Sequence, residues 1–514
     1  MRLCGICDSP APQSCGGCGN VRYCGIEHQK KDWIQHKPFC NPFKVCEDKI
    51  CGQFLVAGRN LKAGDLILDE EVGLLGPPSG EPRPDNICLG CYFPAPSYTC
   101  STCHAPICGP SCEKKSDHTQ ECKMVEKFKL CEQLDRDQLY GIITPIRFLS
   151  LQQSNKHLYK KCLELSTNLE TRRLQPEFMK YTEKARLYAG LLHGWTTEEE
   201  MLKILTILDT NTFQVLAQGS AETLSGLYPR ISKLNHSCIP NSRTVFRGDY
   251  SLQIIACVNI QKGSPIYISY TPPFYTTHSR RKILERGKQF LCDCVRCQDP
   301  QELGTMMSGL SCGSCKSDFL LRCLAGEDTV YACRNCGNQI CENEFRKIDE
   351  TLLSVQTNIY KENVEKMQEI LFKYSDILHP NHALLAETKQ HLAAAIGRVP
   401  GYRYEQLDLD TLRLKVDIST DLLDILSILE PGISKSRGIT LLDLTEAKSR
   451  LLRRECSSEN DLRIGFKQIE QMLEESNTIL SYEDEGAIEG NVAKLARTQL
   501  ETIRLFNKAL NGSR

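Results

Sequence analysis

The residues best suited to chemistry in this chain of 514 residues are cysteines and histidines set at metal-binding intervals. Cys4, Cys7, Cys15, Cys18, Cys24, His28, His36 and Cys40 read C-x2-C-x7-C-x2-C-x5-C-x3-H-x7-H-x3-C. Eight such ligands suffice for two closed tetrahedral zinc sites. A C-x2-C loop sets two sulfurs near the tetrahedral edge distance, and C-x3-H on a helix puts both ligands on one face. The expected pairing interleaves, with Cys4, Cys7, Cys24 and His28 around one ion and Cys15, Cys18, His36 and Cys40 around the other.

A second set, Cys88, Cys91, Cys100, Cys103, Cys108, Cys112, His118 and Cys122, keeps the same order of pairs, with Cys112 in the place of His28. By analogy, Cys88, Cys91, Cys108 and Cys112 hold one ion, and Cys100, Cys103, His118 and Cys122 the other. His104 reads as a surface residue. Cys312, Cys315, Cys333 and Cys336 have zinc-ribbon spacing, C-x2-C-x17-C-x2-C. Cys292, Cys294 and Cys297 supply three ligands, and a closed site needs a fourth. Cys238, within Asn235-His236-Ser237-Cys238-Ile239-Pro240-Asn241, is the expected donor. About six Zn2+ ions are implied. The cysteines left over, Cys46, Cys51, Cys131, Cys162, Cys257, Cys323, Cys341 and Cys456, read as small buried hydrophobes.

The 29 cysteines need a reducing compartment for this reading to hold. Cys4 directly follows Met1, Arg2 and Leu3, which leaves no room for a secretory signal. There is also no apolar run of about twenty residues to span a membrane. Charged residues are 25% and the formal net charge is -1, so no global field draws the chain to nucleic acid or a membrane. No recognition helix with a C2H2 spacing is present either, which argues against sequence-specific DNA reading.

These residues must be positioned by regular elements. Phe54–Ala57 and Leu66–Leu68 read as strands around a turn at Lys62–Asp65, and Gly76–Pro84 reads as a linker. Residues 123–217 carry the spacing of helices. Ser251–Ala256 alternates, and Pro265–Tyr270 is β-branched and aromatic, so 228–272 reads as strands and turns. From 343 onward the chain reads as helices, with Val492, Leu495, Ala496, Gln499, Ile503, Phe506 and Leu510 on one stripe. Breaks at Gly397–Gly401 and at Pro431-Gly432 suggest stacked helical hairpins.

Asn235-His236-Ser237-Cys238-x-Pro240-Asn241, Ile266-x-Ile268-x-Tyr270 and Cys292-x-Cys294-x2-Cys297 together resemble the core of a SET-domain lysine methyltransferase. The eight-ligand modules resemble MYND zinc fingers. The whole chain resembles the SMYD (SET and MYND) family, in the invertebrate-expanded branch with an extra N-terminal finger. The resemblance implies an α+β fold in which a β-rich SET core is split by a MYND module and a helical insert. It continues into a zinc-bound post-SET region and an all-α, tetratricopeptide-like C-terminal domain. The implied order is a MYND finger at 1–40, the first SET part at 41–87, a second MYND-like finger at 88–122 and the helical insert at 123–217. The SET core follows at 218–275, then the post-SET zinc region at 276–300, a ribbon-like insert at 308–341 and the helical domain at 343–514.

The resemblance further implies that Gly52, Gln53, Asn211, Asn235, His236, Tyr270 and Phe290 bind S-adenosyl-L-methionine. Phe213 and Tyr270 would line the substrate channel, with Tyr270 the catalytic residue that orients the lysine amine. Methyl transfer needs a neutral amine, an aligned sulfonium and the exclusion of water, which aromatic walls and a tyrosine hydroxyl suit. Some positions depart from the family pattern. Phe54 stands where a glycine would let the backbone approach the cofactor. Ser264-Pro265 stands where acidic residues are usual, and Lys288 takes the place of a channel tyrosine.

The function implied is protein-lysine N-methylation of histone or non-histone proteins in transcriptional regulation. The alternative is a scaffold with a weak or inactive SET site that recruits repressors through its fingers. Expected partners are substrate lysines and Pro-containing peptides or corepressors at the fingers. The chain is expected to be a monomer of nucleus and cytoplasm. The first finger reads as the partner-binding extra, dispensable to the SET core.

Overall fold

The computed structural model describes residues 3–512 apart from 50–51, 81–83, 85, 221, 326–327 and 485–489. Cys51 and the middle of the expected linker lie outside them. The SET region is built from short strands. Leu252–Ala256 pairs antiparallel with both Ser242–Phe246 and Leu66–Glu70. Thr223–Leu227 is flanked by Leu74–Gly76 and Thr212–Leu216, and Phe43–Asp48 forms a hairpin with Gly52–Ala57. Gly76, the expected start of the linker, thus closes a strand. Alternation explains the first sheet, where Leu252, Ile254 and Ala256 point into the core.

The helical insert runs from Ser116–Lys127 to Glu198–Asn211. Its long helix Arg136–Ser154 starts at a capping box made by Asp135 and Gln138. The helical reading of 123–217 stops short, because Thr212–Leu216 is a strand. Thr212, Phe213 and Val215 are residues that favour strands, Val215 faces the core, and the pairing with Thr223–Leu227 decides the matter.

The two eight-ligand modules are held differently. The second belongs to the main core: Ile87, Cys88, Leu89, Cys100 and Ile107 are buried in one apolar cluster with Leu68, Ile143, Phe148, Leu205 and Ile254. The first has a small cluster of its own, made of Cys4, Ala11, Cys15, Cys18, Tyr23 and Cys40. It is nonetheless docked. Leu66–Glu70 is the edge strand of its sheet, and Asn20 covers that edge. The Asn20 carboxamide donates to Ile67 O at 3.0 Å and accepts from Asp69 N at 3.1 Å. Arg230 donates to Cys18 O at 2.9 Å. It lies so close to Gly19, at φ 68°, that a Cβ there would meet the guanidinium at 2.8 Å.

The C-terminal half packs successive helices, several of them capped from their own sequence. Asp408, Ser434 and Ser458 accept from the backbone of Thr411, Arg437 and Asp461. The helix Leu409–Leu429 ends before Pro431-Gly432. Gly432 sits at φ 78° against Cys257, whose carbonyl oxygen would lie 2.0 Å from an added Cβ. Arg243 of the SET sheet reaches across to Glu483 at 2.5 Å and to Ile479 O at 3.1 Å. On the last helix the buried stripe is Ala493, Ala496, Leu500 and Ile503, while Leu495, expected on it, is 38% exposed. Helix packing therefore rotates the apolar face by about one residue relative to the sequence stripe.

The first finger, expected to be separate from the core, instead covers its strand edge. Removing its cover leaves an unpaired strand edge. Asn20→Ala should cost about 1–3 kcal/mol for the two backbone groups left without partners, read as a lower midpoint in thermal unfolding. Deletion of residues 1–40 should lower it further.

Candidate active site and its metal clusters

The site grows from two short strands. Asn235–His236 pairs in parallel with Tyr267–Ile268, Asn235 opposite Tyr267 and His236 opposite Ile268. Parallel neighbours need a crossover between them, and here the hairpin Ser242–Ala256 supplies it. Asn241 completes the ladder: its Oδ1 accepts from Tyr267 N at 2.8 Å and its Nδ2 donates to Pro265 O at 2.9 Å. The asparagine of the motif thus works as a piece of strand. This is a role that spacing alone does not reveal.

The pairing brings Tyr270 over His236, with ring centroids 5.2 Å apart. Tyr270 N donates to His236 Nδ1 at 3.0 Å, so Nε2 carries the proton, directed at Cys238 Sγ 3.2 Å away. Burial holds the imidazole neutral by pulling its pKa down to about 4. The Tyr270 hydroxyl donates to Leu234 O. Burial raises its pKa, so it stays protonated at neutral pH. Phe290 lies 6.2 Å from the His236 ring and is 37% exposed, an aromatic face open at the edge of the site.

The other expected site residues fall around this centre. Asn211 ends the helix Glu198–Asn211, and its Nδ2 donates to both Ser166 O and Ile207 O at 2.8 Å. That nitrogen is committed to the fold. Phe213 is half-buried and packs edge-on against Tyr228 at 5.8 Å. Gly52, at φ 63°, has no atom within 4 Å of an added Cβ, so open space lies beside it. Gln53 and Phe54 are half-buried on the same strand, which runs beside the turn Ile231–Lys233 leading to Asn235. Lys288, at the end of the helix Thr277–Lys288, donates to Thr210 O at 2.5 Å and lies 5.1 Å from the Tyr270 ring centre.

Among the described residues, at least five four-residue groups have ligand atoms within 4.8 Å of one another. They are Cys4, Cys7, Cys24 and His28; Cys15, Cys18, His36 and Cys40; Cys88, Cys91, Cys108 and Cys112; Cys100, Cys103, His118 and Cys122; and Cys238, Cys292, Cys294 and Cys297. In the ribbon, Cys312 and Cys336 lie 3.5 Å apart and Cys315 and Cys333 3.6 Å apart. Soft thiolates with imidazole at tetrahedral spacing suit zinc. His104 remains apart, in a left-handed turn at φ 61°. Among the leftover cysteines, Cys162 and Cys257 are buried as expected, but Cys323 and Cys341 are exposed. Both sit in the ribbon, a thin sheet with one covered face.

The residues that support these clusters leave no spacing signal. His118 Nδ1 lies 3.0 Å from Glu121, which takes Arg147 Nε at 2.5 Å. Arg147 is buried and also donates to Leu75 O and Leu89 O. This carboxylate fixes which imidazole nitrogen faces the metal. Beside the 238–297 cluster, the fully buried Arg280 donates to Cys238 Sγ at 3.2 Å and to Cys297 Sγ at 3.4 Å. Glu302 bridges it to Arg296 at 2.8 and 2.9 Å. Burial would raise the Glu302 pKa, but the two guanidiniums hold it down at about 2.

A MYND finger and a SET domain are the protein classes these features define. The family profiles match accordingly, the MYND finger at residues 4–40 and the SET domain at 52–271. The chain thus carries a MYND finger at its N-terminal side and a SET domain after it. It is similar to the SET domain-containing protein SmydA-8, isoform B, of Drosophila melanogaster, at 27% identity over 283 residues, 52% of this chain and 60% of that one. It is also similar to human histone-lysine N-methyltransferase SMYD3, at 30% over 223 residues, 41% and 51% of the two chains. Histone-lysine N-methyltransferase ASHR1 of Arabidopsis thaliana is 25% identical over 328 residues, 59% and 66%. The matches span between half and two thirds of these curated relatives.

Native mass spectrometry of the full chain should show six bound zinc ions, one for each cluster. Arg280→Met strips two thiolates of their guanidinium and leaves Glu302 with Arg296 alone. It should destabilise the chain by about 3–5 kcal/mol and release zinc to a chromophoric chelator faster than wild type.

Proposed function

We propose that this protein is an S-adenosyl-L-methionine-dependent protein-lysine N-methyltransferase. The observation that carries the reading is the parallel pairing of Asn235–His236 with Tyr267–Ile268, which brings the rings of Tyr270, His236 and Phe290 together. The site's residues fit the cofactor. The exposed face of Phe290 suits an adenine ring, and the open space at Gly52 admits a close ligand. The cofactor, when bound, supplies an electrophilic methyl group.

The chain's own residues orient the acceptor. The Tyr270 hydroxyl is tied to Leu234 O and protonated, so it positions an amine through its lone pairs and does not act as a base. Its ring face and that of Phe213 favour a cation, as cation–π contact does for ammonium and sulfonium. The acceptors are lysines of histone or non-histone proteins, and the setting is transcriptional regulation in nucleus and cytoplasm. The first finger, whose Ile34 and Phe39 stand exposed, is the surface for Pro-containing peptides or corepressors.

Zinc-loaded protein incubated with methyl-labelled cofactor and a histone or cell-extract mixture should transfer label. Tyr270→Phe should lower kcat and kcat/KM together by at least about tenfold, or about 1.4 kcal/mol. Failure of folded, zinc-loaded protein to bind S-adenosyl-L-methionine in calorimetry would instead leave the scaffold reading.

A further inference from the structure

Lys288 is a half-buried lysine with no carboxylate at ion-pair distance among the described residues. Asp209, the acid whose charge acts on it, is engaged by Arg172 at 2.5 Å. Its amine meets two groups of the proposed acceptor site: the Thr210 carbonyl at 2.5 Å, one residue before Asn211, and the face of Tyr270 at 5.1 Å. The backbone holds it there. Gln289 turns at φ 63°, which ends the helix, and Asn168 Nδ2 donates to Lys288 O at 3.1 Å.

We propose that Lys288 is a methylation site of the protein itself, an internal acceptor that takes the methyl group in cis. The inference rests on the methyltransferase reading above. Three attributes of an acceptor meet at this residue. Burial lowers its pKa to about 8, with Arg172 acting in the same direction and Asp209 against it, so a substantial neutral fraction exists under mildly alkaline conditions. A neutral amine donating one N–H to Thr210 O keeps its lone pair free. The ring of Tyr270 favours the cation that results.

The step balances without another reactant. The Nζ proton leaves to solvent beforehand, and the Nζ lone pair forms the N–CH3 bond as the S–CH3 bond of S-adenosyl-L-methionine breaks. The sulfonium becomes a neutral thioether, and the amine becomes a methylammonium. A methylated Lys288 would fill more of the channel and hinder entry of a substrate lysine. Lys288 also has a simpler role, as a cation at the C-terminal end of the helix Glu198–Asn211. Only the acceptor role moves a mass.

The test uses the full zinc-loaded chain with methyl-labelled S-adenosyl-L-methionine, once with no added substrate and once with cell extract, followed by intact and tandem mass spectrometry. The expected result is a gain of one methyl group localised to Lys288 in wild type, with a rate per molecule independent of protein concentration. Lys288→Arg should abolish that gain. Label on extract proteins with Lys288 unmodified would overturn the inference and leave the methyltransferase standing. A rate proportional to protein concentration would overturn the cis assignment. No transfer to Lys288 or to any extract protein would remove both.

Discussion

The contact between the Arg280 guanidinium and the sulfurs of Cys238 and Cys297 holds this protein together at its centre. Four thiolates around a divalent ion leave excess negative charge, and buried charge is tolerated only when paired and hydrogen-bonded. Arg280 supplies both, and Glu302 with Arg296 balances Arg280 in turn. The cluster joins four parts of the chain. Cys238 belongs to the loop behind the active site, and Arg280 to the helix that ends at Lys288. Cys292, Cys294 and Cys297 follow that helix, and Glu302 reaches Ser308, which accepts from Thr277 N. Ser279 of the same helix bonds Asp349 of the C-terminal half. His236, two residues from Cys238, hands the arrangement to Tyr270.

The two fingers illustrate two ways of using one metal-binding pattern. In the second, metal ligands are also core residues, and the helical insert grips it through Arg147, Glu121 and His118. Its integrity and that of the SET core are one quantity. The first is a small body of its own, attached through polar groups along a sheet edge. Such an attachment protects the edge while leaving Ile34 and Phe39 free to solvent. It also connects to the active-site side. Arg230 bonds Cys18 O and begins the turn that leads to Asn235.

The departures from the family pattern acquire physical content in the structure. Phe54 is half-buried opposite Cys46 on the hairpin, while the glycine conformation is retained two residues earlier at Gly52. Pro265 takes part in an isolated bridge with Val56, and its carbonyl receives the Asn241 amide. Lys288, which reads in sequence as a charge intruding on the channel, is instead tethered to Thr210 and half-buried. Each departure has been absorbed by backbone pairing or hydrogen bonding.

Much of this was legible in the order of residues. Ligand intervals such as C-x2-C are local, and local geometry follows from backbone dimensions, so the metal groupings could be read directly. Strand alternation at Leu252–Ala256 and the caps at Asp408 and Ser434 are local signals of the same kind. What the sequence could not contain is the identity of partners brought together from afar. Residues 212–216 became a strand because residues 223–227 lay beside them. Arg147, Glu121, Arg280 and Glu302 carry no motif, since their roles depend on burial next to a metal cluster. Asn20 reads as an ordinary turn residue until the edge of Leu66–Glu70 is placed against it. Sequence by itself determined the metal chemistry and the α+β plan. Tertiary structure alone decided which charges are buried together, because desolvation and pairing act on distances between residues remote along the chain.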